Sequence, residues 1–164
     1  VKQQDYALGM EMFFMAERYE QLNREMNDQE LFNERYVIDY LFNKSLLYAR
    51  VNLDDTEFNL YHKIFNLLNP RMRKSDVVIY LHSDLDRLVS NIYKRGREFE
   101  LTVKKDYLKK IENVYLEHFR QVTDQKTLIF DVSDADFVAN ATDFQKMLSI
   151  IAEPHAEGVH RFKI

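Results

Sequence analysis

Hydrophobic positions change their period several times along this chain. From Asp5 to about Met26 they surround a helix, with Ala7, Leu8, Met10, Met12, Phe13, Phe14, Met15, Tyr19 and Leu22 all apolar. That is too many for one narrow stripe, so the pattern predicts a long helix buried on more than one side, or packed on a partner chain. Asn27 to Glu30 is a polar break. Leu31 to Asp39 then reads as a strand, with Val37 and Ile38 entering a sheet and Asp39 at its carboxyl end. Two helices are expected at Asp39–Arg50 and Thr56–Leu68, joined by Val51–Asp55, before a basic loop over Pro70–Lys74.

Val77-Val78-Ile79-Tyr80-Leu81 is a short continuous β-rich run, as expected of a parallel strand buried on both faces. Ser83 stands where a helix cap belongs, with Asp84 and Asp86 in the positively polarised first turn. Leu85, Leu88, Val89 and Ile92 then form a one-faced stripe. Lys94-Arg95-Gly96-Arg97 interrupts it, and Glu98-Phe99-Glu100 closes the loop. A second amphipathic helix begins near Lys104. Thr127–Asp131 reads as the last strand, Asp143–Ile151 as the last helix, and Pro154–Ile164 as a tail.

Composition narrows the class. A chain of 164 residues with 46% hydrophobic and 30% charged content suits one globular domain, taken here as residues 1–153. The net charge of −4 argues against a nucleic-acid surface, which needs a basic face. Zero cysteines exclude disulfides and thiolate metal sites, and are compatible with the cytoplasm. No apolar run approaches a membrane-spanning length.

Three places carry candidate chemistry. Glu11 sits among Leu8, Phe14 and Met15, with Arg18 two turns on, about 10 Å along the helix at a 1.5 Å rise. An acid and a guanidinium with the Phe14 ring between them suit the edge of a nucleobase; solvated helix charges are the plain alternative. Asp39 lies beyond a strand's carboxyl end, where parallel sheets collect ligands, unless it merely caps the next helix. Arg95 and Arg97 around a glycine suit a mobile lid over a polyanion, since arginine offers a planar fork to phosphate oxygens. A solvated basic loop would look the same.

The stretches YALGMEMFFMAERYEQL, VIDYLFNKSLLYA, DVVIYLHSDLDRLVSNIYKRGREFE, YLKKIENVY and LIFDVSDADF resemble, in order, the deoxynucleoside kinases, most closely the bacterial deoxyadenosine/deoxyguanosine branch. The resemblance implies a three-layer P-loop-kinase α/β fold, a homodimer, and transfer of the γ-phosphoryl of ATP, with Mg2+, to a nucleoside 5′-hydroxyl. By the same resemblance Glu11 and Arg18 reach the base, and Asp39 stands near metal and phosphates. Arg95 and Arg97 meet the phosphates, and Glu100 holds the sugar 3′-hydroxyl. Asp136 and Phe137 lie in the loop around the adenine of ATP, although Phe137 also reads as an ordinary core residue. Tyr40 and Asn91 stand where the family often has arginines. A carboxylate only accepts hydrogen bonds, and guanine offers two adjacent donors, so Glu11 favours deoxyguanosine over deoxyadenosine.

No G-x-x-x-x-G-K followed by Ser or Thr occurs, and Gly9, Gly96 and Gly158 are all isolated. In the family the first strand, the phosphate loop and the general base lie upstream of the first long helix, so the resemblance implies that such a segment precedes Val1 and that the chain alone is inactive. Two further readings remain open at the level of sequence: a nucleoside monophosphate kinase of thymidylate type, and a non-catalytic helical interaction module.

Overall fold

The computed structural model describes residues 6–27 and 36–164, which divide into two compact units, 1–74 and 75–164. The first unit is helical. Helix α1 (Ala7–Asn27) packs with α2 (Asn43–Asn52) and α3 (Asp55–Leu68). Its core is Met15, Leu22, Phe42, Ala49, Leu53, Tyr61 and Phe65. Phe42 stacks on Phe65 at 5.1 Å, and Tyr19 meets Phe42 edge-on at 6.0 Å. Both geometries suit the ring quadrupole.

Asp54 fixes the start of α3 through a capping box, accepting from Glu57 N while Glu57 accepts from Asp54 N. The connection from α2 to α3 is therefore shorter than the expected Val51–Asp55 linker, because α2 runs on to Asn52.

The strand expected at 31–39 does not form over its described part. Residues 31–35 lie outside the described residues, and 36–39 form no strand: Val37 is fully exposed and Asp39 sits in an exposed bend. Nor does Asp39 cap the following helix, which starts at Asn43 behind Phe42.

The second unit carries a parallel sheet of β1 (Val77–His82), β2 (Lys126–Asp131) and β3 (Gly158–Lys163) in the order β1-β2-β3. Helices α4 (Leu85–Arg95), α5 (Lys105–Gln121) and α6 (Ala141–Ala152) connect and flank it. The segment expected to be a tail thus supplies a strand, in register from Lys126↔Gly158 to Asp131↔Lys163. The core gathers on β2: Leu128 and Phe130 are buried, with Val132, Ala135 and Met147 around them.

β1 departs from expectation too. Tyr80 stacks on Tyr115 and packs on Phe119 of α5, while Ile79 and Leu81 on the other face are 43% and 44% exposed. Among the described residues it is an edge strand covered on one side, not a strand buried on both.

Asp84, rather than Ser83, caps α4 by accepting from Arg87 N at 2.8 Å. Gly96 ends that helix in the left-handed region at φ 68°, with its N–H on Ile92 O. That conformation is open to glycine without the strain of a Cβ. No helix among the described residues is long and apolar enough to cross a membrane.

Candidate active site

In the helical unit, a polar group forms inside apolar surroundings. Glu11 is half-buried on α1 and accepts a hydrogen bond from Asn52 Nδ2 at 2.6 Å. Burial pushes its carboxyl above the ordinary value, with the Asn52 bond opposing. The Arg18 guanidinium lies 4.7 Å from the centre of the Tyr40 ring and donates to Gln21 Oε1 at 2.7 Å. A cation over an aromatic face is held in place by the ring quadrupole.

The Tyr40 hydroxyl shares a 2.6 Å hydrogen bond with Ser45 Oγ. Burial raises the Tyr40 pKa, with the Ser45 bond and Arg18 opposing and Glu11 adding. Tyr61 is fully buried, and burial, then the Glu11 charge, pushes its hydroxyl strongly upward. Glu11, Arg18, Tyr40, Ser45, Asn52 and Tyr61 therefore form one neighbourhood. Phe14 is exposed on α1 and touches Phe13 edge-on at 6.1 Å.

The sequence reading found the charged pair but not Asn52 or the Tyr40–Ser45 bond. Asn52 stands 41 positions from Glu11, so no local pattern announces it. Tyr40 does not replace the family's arginine as a cation; its ring instead supports one.

In the sheet unit, the loop around Gly96 is folded on its own acid. Glu100 pairs with Arg95 at 2.5 Å and with Arg97 at 3.4 Å, its side chain mostly buried while both guanidiniums are half exposed. One carboxylate thus holds two cations on either side of Gly96.

The β2–α6 loop is shaped by Asp136, whose Oδ1 accepts from Val138 N at 3.3 Å and Ala139 N at 3.0 Å. Its own N–H donates to Asp143 Oδ2. Phe137 is partly buried against the β2 core.

At the carboxyl end of β1, His82 Nε2 lies 2.8 Å from Glu112 Oε1, and Lys109 Nζ donates to Glu112 Oε2 at 2.7 Å. Burial pushes the Glu112 carboxyl upward, but the bonds from Lys109 and His82 outweigh it and hold the group below its ordinary value. A depressed carboxyl stabilises the fold above the unfolded pKa of about 4.3, and that contribution is lost as the pH falls through the lower folded value. We expect the melting temperature of the Glu112→Gln variant to fall less on acidification below about pH 4.3 than that of the unmodified protein. Parallel curves would remove Glu112 from the acid response.

Asp39 is the expected metal residue. Among the described residues no group of three or more His, Asp or Glu side chains stands ready to hold a metal ion. Asp39 is exposed, and one carboxylate can serve Mg2+, because this ion commonly takes most of its oxygens from phosphates and water.

A parallel three-stranded sheet flanked by helices places the fold in a class, the P-loop-type kinases. The family model described as "Deoxynucleoside kinase" matches residues 2–155. The deoxyguanosine kinase of Bacillus subtilis (strain 168) is 30% identical over 154 residues, covering 91% of this chain and 74% of that protein. A deoxyadenosine kinase of Lactobacillus acidophilus is 27% identical over 159 residues, covering 90% and 73%. The solved deoxyadenosine kinase from M. mycoides, with products dCMP and a flexible dCDP bound, superposes with a TM-score of 0.73 at 24% identity, covering 90% of this chain and 76% of that one. The chain belongs to the deoxynucleoside kinase family. Its chemistry is accordingly that of a phosphotransferase acting on deoxynucleosides in nucleotide salvage, with ATP the family's general phosphate donor.

Proposed function

We propose that this enzyme transfers the γ-phosphoryl of ATP to the 5′-hydroxyl of a purine deoxynucleoside, with deoxyguanosine preferred over deoxyadenosine. The observation that carries the base preference is the half-buried Glu11 carboxylate held by Asn52. Asn52 occupies one acceptor site on Oε1, leaving a further lone pair there and both on Oε2, since a carboxylate offers about four. Two adjacent donors on guanine complement those oxygens. Adenine presents a donor beside an acceptor and fits a carboxylate less well.

Arg18, steadied over Tyr40, is the second base contact, and Phe14 the aromatic surface. Glu100 takes the 3′-hydroxyl, which favours a deoxyribose ligand. Arg95 and Arg97 exchange Glu100 for phosphate oxygens, Asp39 serves Mg2+ and the phosphates, and Asp136 and Phe137 serve the adenine of ATP. Residues 1–164, β3 included, act as one kinase domain in this reading.

The working form is a cytoplasmic homodimer. Supporting a second subunit, Tyr6 just before α1, Met10 and Phe13 on α1, and Leu60 and Leu67 on α3 are exposed large apolar residues at helical spacing.

The test is Glu11→Gln. A glutamine donates and accepts, so the ratio of kcat/KM for deoxyguanosine to that for deoxyadenosine should drop by roughly 10- to 100-fold, the scale of one well-matched bidentate pair. An unchanged ratio would sink the hydrogen-bond argument. Lowering the pH should move the unmodified enzyme the same way, because the raised Glu11 carboxyl takes up a proton sooner than an ordinary glutamate and becomes a donor.

A further inference from the structure

We infer that Arg87 is a positioning residue for the phosphate donor, because its guanidinium clasps the β2–α6 loop to the first turn of the helix that ends in the lid. The inference rests on the reading that gives this loop to the adenine of ATP. Arg87 Nη1 donates to Ser133 O at 2.6 Å, and Nη2 donates to Ala135 O. A single planar fork thereby meets two carbonyls two residues apart, which a point-charge ammonium does not reproduce.

Neighbouring bonds run the same way. Asp84 N donates to Ser133 Oγ at 3.0 Å, Ser133 N to Asp131 Oδ1 at 3.0 Å, and Val132 N to His82 O at 2.8 Å. The same Asp84 caps α4 through Arg87 N. The first half of the loop is thus joined to α4, while Asp136 braces the second half internally. From Leu85 the helix runs 11 residues to Arg95, where the lid begins. One rigid element therefore connects the clasp with the arginines assigned to the phosphates. Arg87 touches no reacting atom in this arrangement; it sets where the loop's main chain stands.

The experiment compares Arg87→Ala and Arg87→Lys with the unmodified complete enzyme. It measures kcat, KM for ATP, KM for the deoxynucleoside, and amide hydrogen exchange over residues 133–140 without ATP. Arg87→Ala should exchange faster in that loop and raise KM for ATP by roughly tenfold, the scale of one charge-assisted hydrogen bond, leaving kcat and the deoxynucleoside KM nearly unchanged. Arg87→Lys should fall between the two, and because it retains a cation it keeps the test open should the alanine variant fail to fold. Unchanged loop exchange would overturn the clasp while leaving the ATP reading standing. A loosened loop with unchanged KM for ATP would overturn the assignment of the loop to ATP, and the inference with it. Equal losses for both substrates would reduce Arg87 to a purely structural residue.

Discussion

Replacing Arg97 with alanine in the complete enzyme should lower kcat by about 10²- to 10³-fold, with little change in KM for the deoxynucleoside. Phosphoryl transfer is catalysed chiefly by positioning and by charge placed on the transferring group. A guanidinium that strengthens its grip only as that charge redistributes acts on the barrier and not on substrate affinity. In the structure Arg97 is half exposed and tethered to Glu100 at 3.4 Å, a long, solvent-screened pair of the kind worth about 1 kcal/mol or less. Phosphate oxygens can therefore displace the tether at small cost. Arg95 holds the same carboxylate more closely, so Arg97 is the freer of the two cations. Steady-state kinetics decide the matter: unchanged turnover would remove the lid arginines from the mechanism, and a rise in nucleoside KM alone would make them binding groups.

The largest effect on stability should come from Phe130→Ala. Phe130 is completely buried on the central strand β2 and stacks on Phe162 of β3 at 5.5 Å. Truncation removes the ring's transfer energy and leaves a cavity between strands that backbone pairing prevents from closing. The cost should be about 3–5 kcal/mol, against a total stability of about 5–15 kcal/mol for a typical protein. For a chain of this size the melting temperature should drop by roughly 6–20 °C. Circular dichroism melts measure it directly. A loss below about 1 kcal/mol would show that the β2 core is not as tightly packed as the burial of Phe130 implies.

The sequence was most legible where one physical signal dominates. The runs Val77–Leu81 and Thr127–Asp131 both form strands, each one residue longer in the structure, and the stripe of Leu85, Leu88, Val89 and Ile92 lies on α4. Gly96 marked the end of that helix because only glycine reaches the left-handed cap easily. Edge strands were harder. β3 carries His160, Arg161 and Lys163 among its six residues, since an edge tolerates polar side chains that a central strand excludes, and so it read as a tail.

The converse error befell Val37 and Ile38, whose β-branched side chains suggested a strand although both are exposed. β-propensity measures fit to a half-buried pleated surface, and that surface has to be supplied by neighbours.

The site divides along the same line. Glu11 with Arg18, and Arg95 with Arg97, stood out as candidate residue types at telling spacings, while Glu100 entered only through the family resemblance. Asn52, the Tyr40–Ser45 pair and the Arg87 clasp act across 41 positions, beneath the apolar pattern, and across 46 positions respectively. Tertiary structure brings these partners together, and no window of sequence contains the long-range pairs.

Substrate preference is decided by comparing kcat/KM for ATP-dependent phosphorylation of deoxyguanosine, deoxyadenosine, deoxycytidine and thymidine monophosphate. Deoxyguanosine should come first and deoxyadenosine second, with little transfer to the nucleotide. Preference for deoxycytidine would contradict the role given to Glu11, and preference for thymidine monophosphate would contradict the nucleoside as acceptor.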